Sequence, residues 1–303
     1  MKIINDVLTK DRCSDHDKNM EQITSEINKL LFSKFNNCTP LIQKIIISDN
    51  IDRLNNTLKY NINPEARGTV HRLTNGFAII FNYNKLIFIE EGRYCLDIIV
   101  NNIIYHELCH VRDFIKYDEL IDKLALELKL KEFDKYLGKQ IFLEFNAQYR
   151  AQLYEPIIWE CNAYSLDTNI DKYHNMYEGI IKCINELNIN DLYEFEKRVK
   201  LLSEDISYFS SKIMYDFSLS FGSNAADNKK NTGKKFIDIK IKGINSDIDK
   251  LLNSFIEGFN EVINDNKSIL NYSFNKGTSI FYWMLEIYNN KSEVLDKEFK
   301  DRA

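Results

Sequence analysis

About one third of the way along the chain, a short motif has the residue types and the spacing needed to hold a metal ion. It reads His106-Glu107-Leu108-Cys109-His110. Residues four apart lie on one face of an α-helix, so both imidazoles can reach one ion from the same side. Zinc prefers about four ligands in a tetrahedral arrangement. Glu107 would point beside the ion and accept a proton from a water molecule bound to it. The motif therefore predicts a Zn²⁺ site with an adjacent general base.

The motif stands out because the chain contains only five histidines in 303 residues, which makes a chance HExxH spacing rare. In the simpler alternative, both imidazoles are satisfied in a helical core without a metal. A charged Glu107 in that core would be costly unless it were paired or linked to a metal. We therefore favour the metal site. We expect Cys109 to be a small packing residue and His174, alone in a polar helix, to face solvent.

Composition limits the classes of protein that could carry such a site. Only 10 Gly and 3 Pro occur, which argues against an all-β sandwich or barrel and favours a mostly helical fold. The net charge of −5 argues against a nucleic-acid partner. We find no apolar run near the roughly 20 residues of a membrane span and no signal-peptide pattern. Six cysteines without a CxxC pair are typical of a reducing compartment, so we expect a cytoplasmic protein.

Apolar runs ahead of the motif predict a small sheet. Residues 42–48 are rich in β-branched side chains, which is typical of a buried strand. Two further runs, Phe77–Phe81 and Leu86–Ile89, predict strands joined by a hairpin turn at Asn82–Lys85, because Asn tolerates left-handed backbone angles. From Cys95 to Phe114 the pattern predicts a long helix that is apolar around most of its circumference, as in a central buried helix. The motif lies within that helix.

The rest of the chain has mostly helical patterns. A polar, lysine-rich stretch at Gly222–Lys235 predicts a linker, and the alternating residues 236–241 predict a short strand. We therefore expect an α+β, mostly helical fold, in which a small mixed sheet and the motif helix precede a helical C-terminal region. The helices after the motif helix are predicted near residues 119–136, 139–154, 157–166, 170–187, 190–218, 246–265 and 279–299.

The order of strands, hairpin and a helix carrying Tyr105-His106-Glu107-Leu108-Cys109-His110-Val111-Arg112-Asp113 resembles the zincin metallopeptidases over about residues 40–165. The resemblance implies a mixed sheet whose edge strand binds extended peptide by strand addition. Phe77–Phe81 or Leu86–Ile89 would be that edge strand. The implied divisions are an N-terminal helical segment (1–40), a zincin-like catalytic domain (41–167) and a helical C-terminal domain (168–303).

The third metal ligand decides the zincin subclass. Metzincins require HExxHxxGxxH or its Asp variant, but Asp113 and Lys116 occupy the Gly and final ligand positions, which excludes that subclass. Gluzincins take a glutamate from a later helix, and Glu144 and Glu160 are the two candidates. Each has an alanine three residues later, which would allow two helices to approach closely. Glu144 also resembles an E-aromatic-x-A-x-x-R pattern of bacterial and phage zincins with a HELCH helix, so we favour it and leave Glu160 as the alternative.

Further roles near the metal are less specific. Asp113, three residues after His110, is a candidate to hold an imidazole N–H, as metal-bound histidines usually require. An ordinary surface aspartate is the alternative. Tyr149 or Arg150 could donate a hydrogen bond to a developing oxyanion if the Glu144 helix faces the metal.

Together these features lead to two hypotheses about function. In the first, the chain is an intracellular zinc metallopeptidase in which His106, His110 and Glu144 hold Zn²⁺ and Glu107 is the general base. Its partner is then a peptide or protein substrate. In the second, the chain is a catalytically inactive helical interaction module that keeps a zincin scaffold. The intact Glu107 favours the first, because a purely structural metal site needs no general base.

Overall fold

A computed structural model describes residues 2–7, 14–60, 62–91, 93–156, 166–187 and 192–302. Over these residues the fold is α+β and mostly helical, with a small mixed sheet ahead of the C-terminal helices, as predicted. The strands are β1 (Lys2–Asp6), β2 (Ile42–Ser48), β3 (Gly68–Leu73), β4 (Gly76–Asn82), β5 (Ile87–Glu90) and β6 (Arg93–Leu96). The helices are α1 (Ser14–Ser33), α2 (Ile51–Leu58), α3 (Val100–Glu127), α4 (Glu132–Tyr154), α5 (Leu166–Asn185), α6 (Leu192–Thr232), α7 (Ser246–Val262), α8 (Asn266–Lys276) and α9 (Ser279–Arg302).

The main sheet has four strands in the order β1-β2-β4-β3. Strands β1, β2 and β4 are parallel, and β3 pairs antiparallel with β4. The predicted strand Phe77–Phe81 lies within β4, which is an inner strand, so its prediction as the sheet edge is wrong. Strand β3 occupies that edge. The sequence analysis missed β3, although Asn75-Gly76 is a frequent hairpin-turn dipeptide at its end.

The predicted hairpin between Phe77–Phe81 and Leu86–Ile89 does not form. Residues Tyr83–Lys85 form a short 3₁₀ turn, and β5 pairs with β6 in a separate two-stranded sheet. Because the turn directs β5 away from β4, β4 is left with β2 and β3 as its neighbours. Leu86–Ile89 is therefore not an edge of the main sheet either.

The two faces of the main sheet follow the alternation of strand side chains. Ile46 on β2 and Ile80 on β4 pack against α2 and its flanks, where they meet Ile51, Leu54 and Ile62. Phe77 on the other face of β4 stacks on Phe114 of α3 with ring centroids 5.9 Å apart. This second face therefore positions α3 against β4 and β3.

Helix α3 is the central buried helix that its apolar pattern predicts. It begins at Val100 rather than Cys95, because Cys95 belongs to β6 and Asp97 stops the strand by accepting a hydrogen bond from the Ile99 N–H. Its first four turns are buried almost throughout. The helix also continues without a break to Glu127, where the sequence patterns indicate one helix ending near 114 and another starting near 119.

The helices after α4 form a core that is rich in aromatic side chains. Helix α5 packs with α6 and α9, and α7 packs with α8 and α9. Tyr173 of α5 is fully buried among Phe209 and Phe217 of α6. No helix among the described residues is both long and apolar enough to cross a membrane.

Two predictions for this helical region are wrong. The predicted linker Gly222–Lys235 is mostly the last part of α6, because Ala225 and Ala226 are buried there and extend the helix to Thr232. Gly233, at a φ of 74°, then ends the helix in a left-handed conformation that glycine adopts easily. The predicted strand at 236–241 is irregular, since the Ile237 backbone N–H and C=O bond the side-chain amide of Asn260 instead of a strand.

Contacts divide the chain into two compact units, Met1–Glu119 with Asn146–Ile158 and Leu120–Phe145 with Trp159–Ala303. Two of the dividing lines fall inside helices, one within α3 and one within α4, and the third lies outside the described residues. The first 40 residues are not only helical, since β1 joins the sheet. The division at residues 41 and 168 remains a prediction.

Candidate metal centre

Helix α3 presents the two motif histidines on one face, with their rings close together. His106 and His110 lie one helical turn apart and are each 7% exposed. Their Nε2 atoms face each other at 2.9 Å. Two nitrogen ligands of a tetrahedral zinc ion, with bonds of about 2.0–2.1 Å, would lie about 3.3–3.4 Å apart. Both imidazoles are therefore close to the positions needed to share one ion.

Helix α4 supplies the third candidate ligand. Glu144 is half-buried, and its carboxylate lies with the ring nitrogens of His106 and His110 in one group whose ligand atoms are all within 4.8 Å of one another. The buried His-His-Glu group could therefore bind a metal ion. Glu160, the alternative third ligand, lies outside the described residues.

The chemistry of the three ligand atoms fits zinc. Imidazole nitrogen and carboxylate oxygen are among the ligands that Zn²⁺ takes in proteins, and three protein ligands leave a fourth position for water or substrate. The proton positions fit as well, since His106 Nδ1 lies 3.1 Å from Gln148 Oε1, which can only accept. A His106 that carries its proton on Nδ1 would donate it to Gln148 and turn its Nε2 lone pair toward the candidate metal position.

Gln148 is a positioning residue that the sequence analysis missed. It lies one turn after Glu144 on α4, so a single helix presents both a candidate metal ligand and a partner for His106. Its amide nitrogen lies 3.5 Å from Asn102 Oδ1, and Asn102 donates to the Glu155 backbone carbonyl just past the end of α4. This chain of buried amides fixes α4 beside the N-terminal half of α3. Its only sequence signal is the four-residue spacing from Glu144.

We expect Gln148→Leu to weaken zinc binding about 10–100-fold, the usual effect of removing a group that orients a metal-bound histidine. Leucine has a similar size but cannot accept a hydrogen bond from His106 Nδ1. Competition with a chelating dye measures the affinity. Gln148→Glu keeps an acceptor oxygen at this position and should retain most of the affinity. Equal zinc affinities of Gln148→Leu and the unsubstituted chain would show that Gln148 does not orient His106.

Glu107 lies beneath the edge strand β3. A Cβ atom added to Gly68 would lie 2.6 Å from Glu107 Cγ and 2.8 Å from one of its carboxylate oxygens, far inside van der Waals contact. Only glycine therefore fits at this point of β3 while Glu107 keeps its position. Glu107 is 7% exposed and directly follows His106 on α3, so its carboxylate is a candidate proton acceptor for the site.

The free edge of β3 runs along α3 from this point. Gly68 lies over Glu107, and four residues later Arg72 forms an ion pair with Asp118, eleven residues further along α3. The hydrogen bond from the Asn82 N–H to the Arg67 carbonyl sets the antiparallel pattern with β4. In that pattern the backbone N–H and C=O groups of Gly68, Val70 and Arg72 point away from β4. Among the described strands, none pairs with this edge.

Asp113 does not hold an imidazole, so that prediction is wrong. Asp113 is fully buried, and its Oδ1 accepts a hydrogen bond from Arg150 of α4 while its Oδ2 has no partner among the described residues. Burial alone would lower the pKa of the Arg150 guanidinium, but the charge and the hydrogen bond of Asp113 raise it. The pair therefore ties α3 to α4.

The structure tests the sequence predictions for Cys109 and His174 and leaves those for Tyr149 and Arg150 open. Burial raises the pKa of the Cys109 thiol to about 12, so it is neutral at pH 7 and a packing residue, as predicted. His174 is exposed, as predicted, and its Nδ1 lies 2.7 Å from the Ile244 carbonyl. Tyr149 is half-buried on α4, and its role as an oxyanion donor, like that of Arg150, stays a prediction.

Comparisons with known proteins give no match to this chain, whether among protein-family models, curated proteins or solved structures.

Proposed function

We propose that this chain is a gluzincin-like zinc metallopeptidase that hydrolyses a peptide bond of a peptide or protein substrate. The observation that carries the proposal is the convergence of His106, His110 and Glu144 beside a carboxylate that lies under a free strand edge. A structural metal site would need the three ligands. It would not need Glu107 beneath the open edge of β3.

In the proposed reaction, different residues of the chain bind the substrate, hold the metal ion and transfer the proton. A substrate segment adds to β3 as a further strand and bonds the outward backbone groups of Gly68, Val70 and Arg72. His106, His110 and Glu144 would hold Zn²⁺, which supplies Lewis-acid chemistry and lowers the pKa of its water ligand to about 7. Glu107 accepts the proton of the attacking water and then donates it to the leaving amine. Gln148 keeps His106 in the tautomer that the site needs.

The proposal places the enzyme in the cytoplasm. Four of its cysteines, Cys38, Cys95, Cys109 and Cys183, are free thiols among the described residues. Free thiols are typical of a reducing compartment. A protease in the cytoplasm must act selectively, which agrees with substrate recognition along a single strand edge.

A peptide library tests the proposed activity directly. We expect the zinc-loaded chain to cleave a subset of peptides, with new termini identified by mass spectrometry. A zinc chelator such as phenanthroline should stop cleavage, its non-chelating isomer should not, and added Zn²⁺ should restore it. A chain that holds one zinc ion and cleaves no peptide would instead support the inactive interaction module.

We expect Gly68→Ala to lower the rate of cleavage about 10²-fold without loss of zinc. The new methyl group would displace either Glu107 or β3, and a shift of about 1 Å in a catalytic group can cost that much. Gly179→Ala on α5 is the matched control, because its added Cβ meets nothing within 4 Å. Steady-state rates and zinc content measure the two effects, and an unchanged rate in Gly68→Ala would show that Glu107 does not act from beneath β3.

A further inference from the structure

A cleft of about 650 Å³ lies at the end of the main sheet, on the face that packs against α2. Its lining includes three basic residues, Lys2 on β1, Lys44 on β2 and Arg72 on β3, and no acidic residue; the Arg72 guanidinium pairs with Asp118 of α3. The other lining residues are neutral: Ile4, Gln43, Tyr60, Leu73, Thr74 and Asn75. The charges that face this cleft are therefore all positive.

Two of the three cations have no acidic partner. Arg72 is paired with Asp118, but within the described part of the chain no carboxylate lies within ion-pair distance of Lys2 or Lys44. The two lysines are direct partners in the β1–β2 register. Like charges placed opposite each other on neighbouring strands destabilise a sheet. The fold thus places two lysines on neighbouring strands at the cleft, and neither forms an ion pair among the described residues.

The side chain of Tyr60 fixes one of these lysines. Lys44 Nζ lies 5.2 Å from the centre of the Tyr60 ring, and the same ring stacks on His71 with centroids 4.8 Å apart. The Tyr60 ring therefore lies between His71 and the ammonium group of Lys44 at the lining of the cleft. Burial lowers the pKa of His71, so its imidazole is neutral at pH 7 and adds no charge.

We propose that this cleft binds the phosphate group of a small phosphate monoester. A phosphate monoester carries a charge of about −1.5 to −2 near pH 7, which matches two unneutralised ammonium groups. A carboxylate or a phosphodiester carries one negative charge and would leave one lysine unneutralised. The volume is within the roughly 300–1,000 Å³ range of small-molecule sites, so there is room for an organic part next to the phosphate. The inference does not depend on peptide hydrolysis.

Calorimetric titration of the zinc-loaded chain with inorganic phosphate, glycerol 2-phosphate and acetate tests this proposal. We expect saturable binding of both phosphates and at least about 10-fold weaker binding of acetate. The double variant Lys2→Gln/Lys44→Gln should weaken phosphate binding about 10-fold or more. Lys18→Gln/Lys34→Gln removes two exposed charges elsewhere in the same unit and should bind phosphate normally.

Three results would overturn the proposal. The first is the absence of saturable phosphate binding. The second is binding that Lys2→Gln/Lys44→Gln leaves unchanged, because phosphate would then be bound at the zinc ion. The third is equal affinity for acetate and phosphate, which would indicate a carboxylate site. Circular dichroism shows that both double variants are folded, and a misfolded Lys2→Gln/Lys44→Gln is replaced by the single variant Lys44→Gln.

Discussion

Glu107→Gln is expected to lower peptide cleavage by about 10²–10⁴-fold, the usual contribution of a positioned general base. Glutamine has nearly the same shape, so it fits beneath Gly68, but its amide cannot accept a proton from water. Zinc content should stay at the level of the unsubstituted chain, because Glu107 is not among the three ligands. Initial rates on a cleaved peptide and metal analysis of the same samples measure both quantities.

The matched control for this experiment is Glu119→Gln. Glu119 is an exposed glutamate on the same helix, twelve residues further along α3, so the substitution makes the same change of charge away from the metal centre. Its rate should equal that of the unsubstituted chain. Full activity of Glu107→Gln would exclude Glu107 as the general base, whereas loss of zinc in that variant would show that it acts on the metal site itself.

His110→Ala is expected to abolish stoichiometric zinc binding and, with it, cleavage. The variant removes one of three ligands, so its affinity should fall by more than the roughly 100-fold that marks the loss of an orienting group. Glu144→Gln should follow the same pattern, since an amide oxygen carries no charge to bind the cation. Zinc per chain, measured after dialysis against a weak chelator, separates these variants from Glu107→Gln.

His174→Ala provides the control for the histidine variant. His174 is exposed and its ring contacts the Ile244 carbonyl rather than the metal centre. Its zinc content should be normal. If His110→Ala retained one tightly bound zinc ion per chain, the ion would lie elsewhere, and the assignment of the HExxH motif would be wrong.

The two histidines of the candidate metal centre could be predicted from the sequence because they follow helical spacing. His106 and His110 are four apart on a helix whose apolar pattern marks it as buried, and the structure contains this helix. Glu144 was favoured over Glu160 from small residues on its helix face and from resemblance. The structure places Glu144 in the ligand group. Local periodicity was sufficient for the two histidines, whereas the choice of Glu144 also needed the resemblance.

The edge strand β3, the proposed substrate edge, could not be predicted in the same way, because it depends on which strands pair. The residues of β3 alternate weakly and include His71 and Arg72, so they lack the apolar run that marked β4. Edge strands bury fewer side chains than inner strands do, which weakens their sequence pattern. Gly68 contributes nothing to a strand pattern in the sequence, although the absence of its side chain is what leaves room for the Glu107 side chain.

The roles of Asp113 and Gln148 depend on how α3 and α4 face each other. Sequence spacing puts Asp113 one turn from His110, but the facing Arg150 takes its carboxylate. Gln148 faces His106 only because the two helices lie side by side. Contacts between residues about 40 positions apart carry no local periodicity, which is why spacing alone could not assign them.

The central claim is that His106, His110 and Glu144 bind one zinc ion, and anomalous X-ray diffraction at the zinc absorption edge tests it most directly. Crystals of the zinc-loaded chain should show one strong anomalous peak about 2.0–2.2 Å from both Nε2 atoms and from a Glu144 carboxylate oxygen. The absence of a peak between the two histidines, or a peak there whose carboxylate ligand is Glu160, would contradict this assignment.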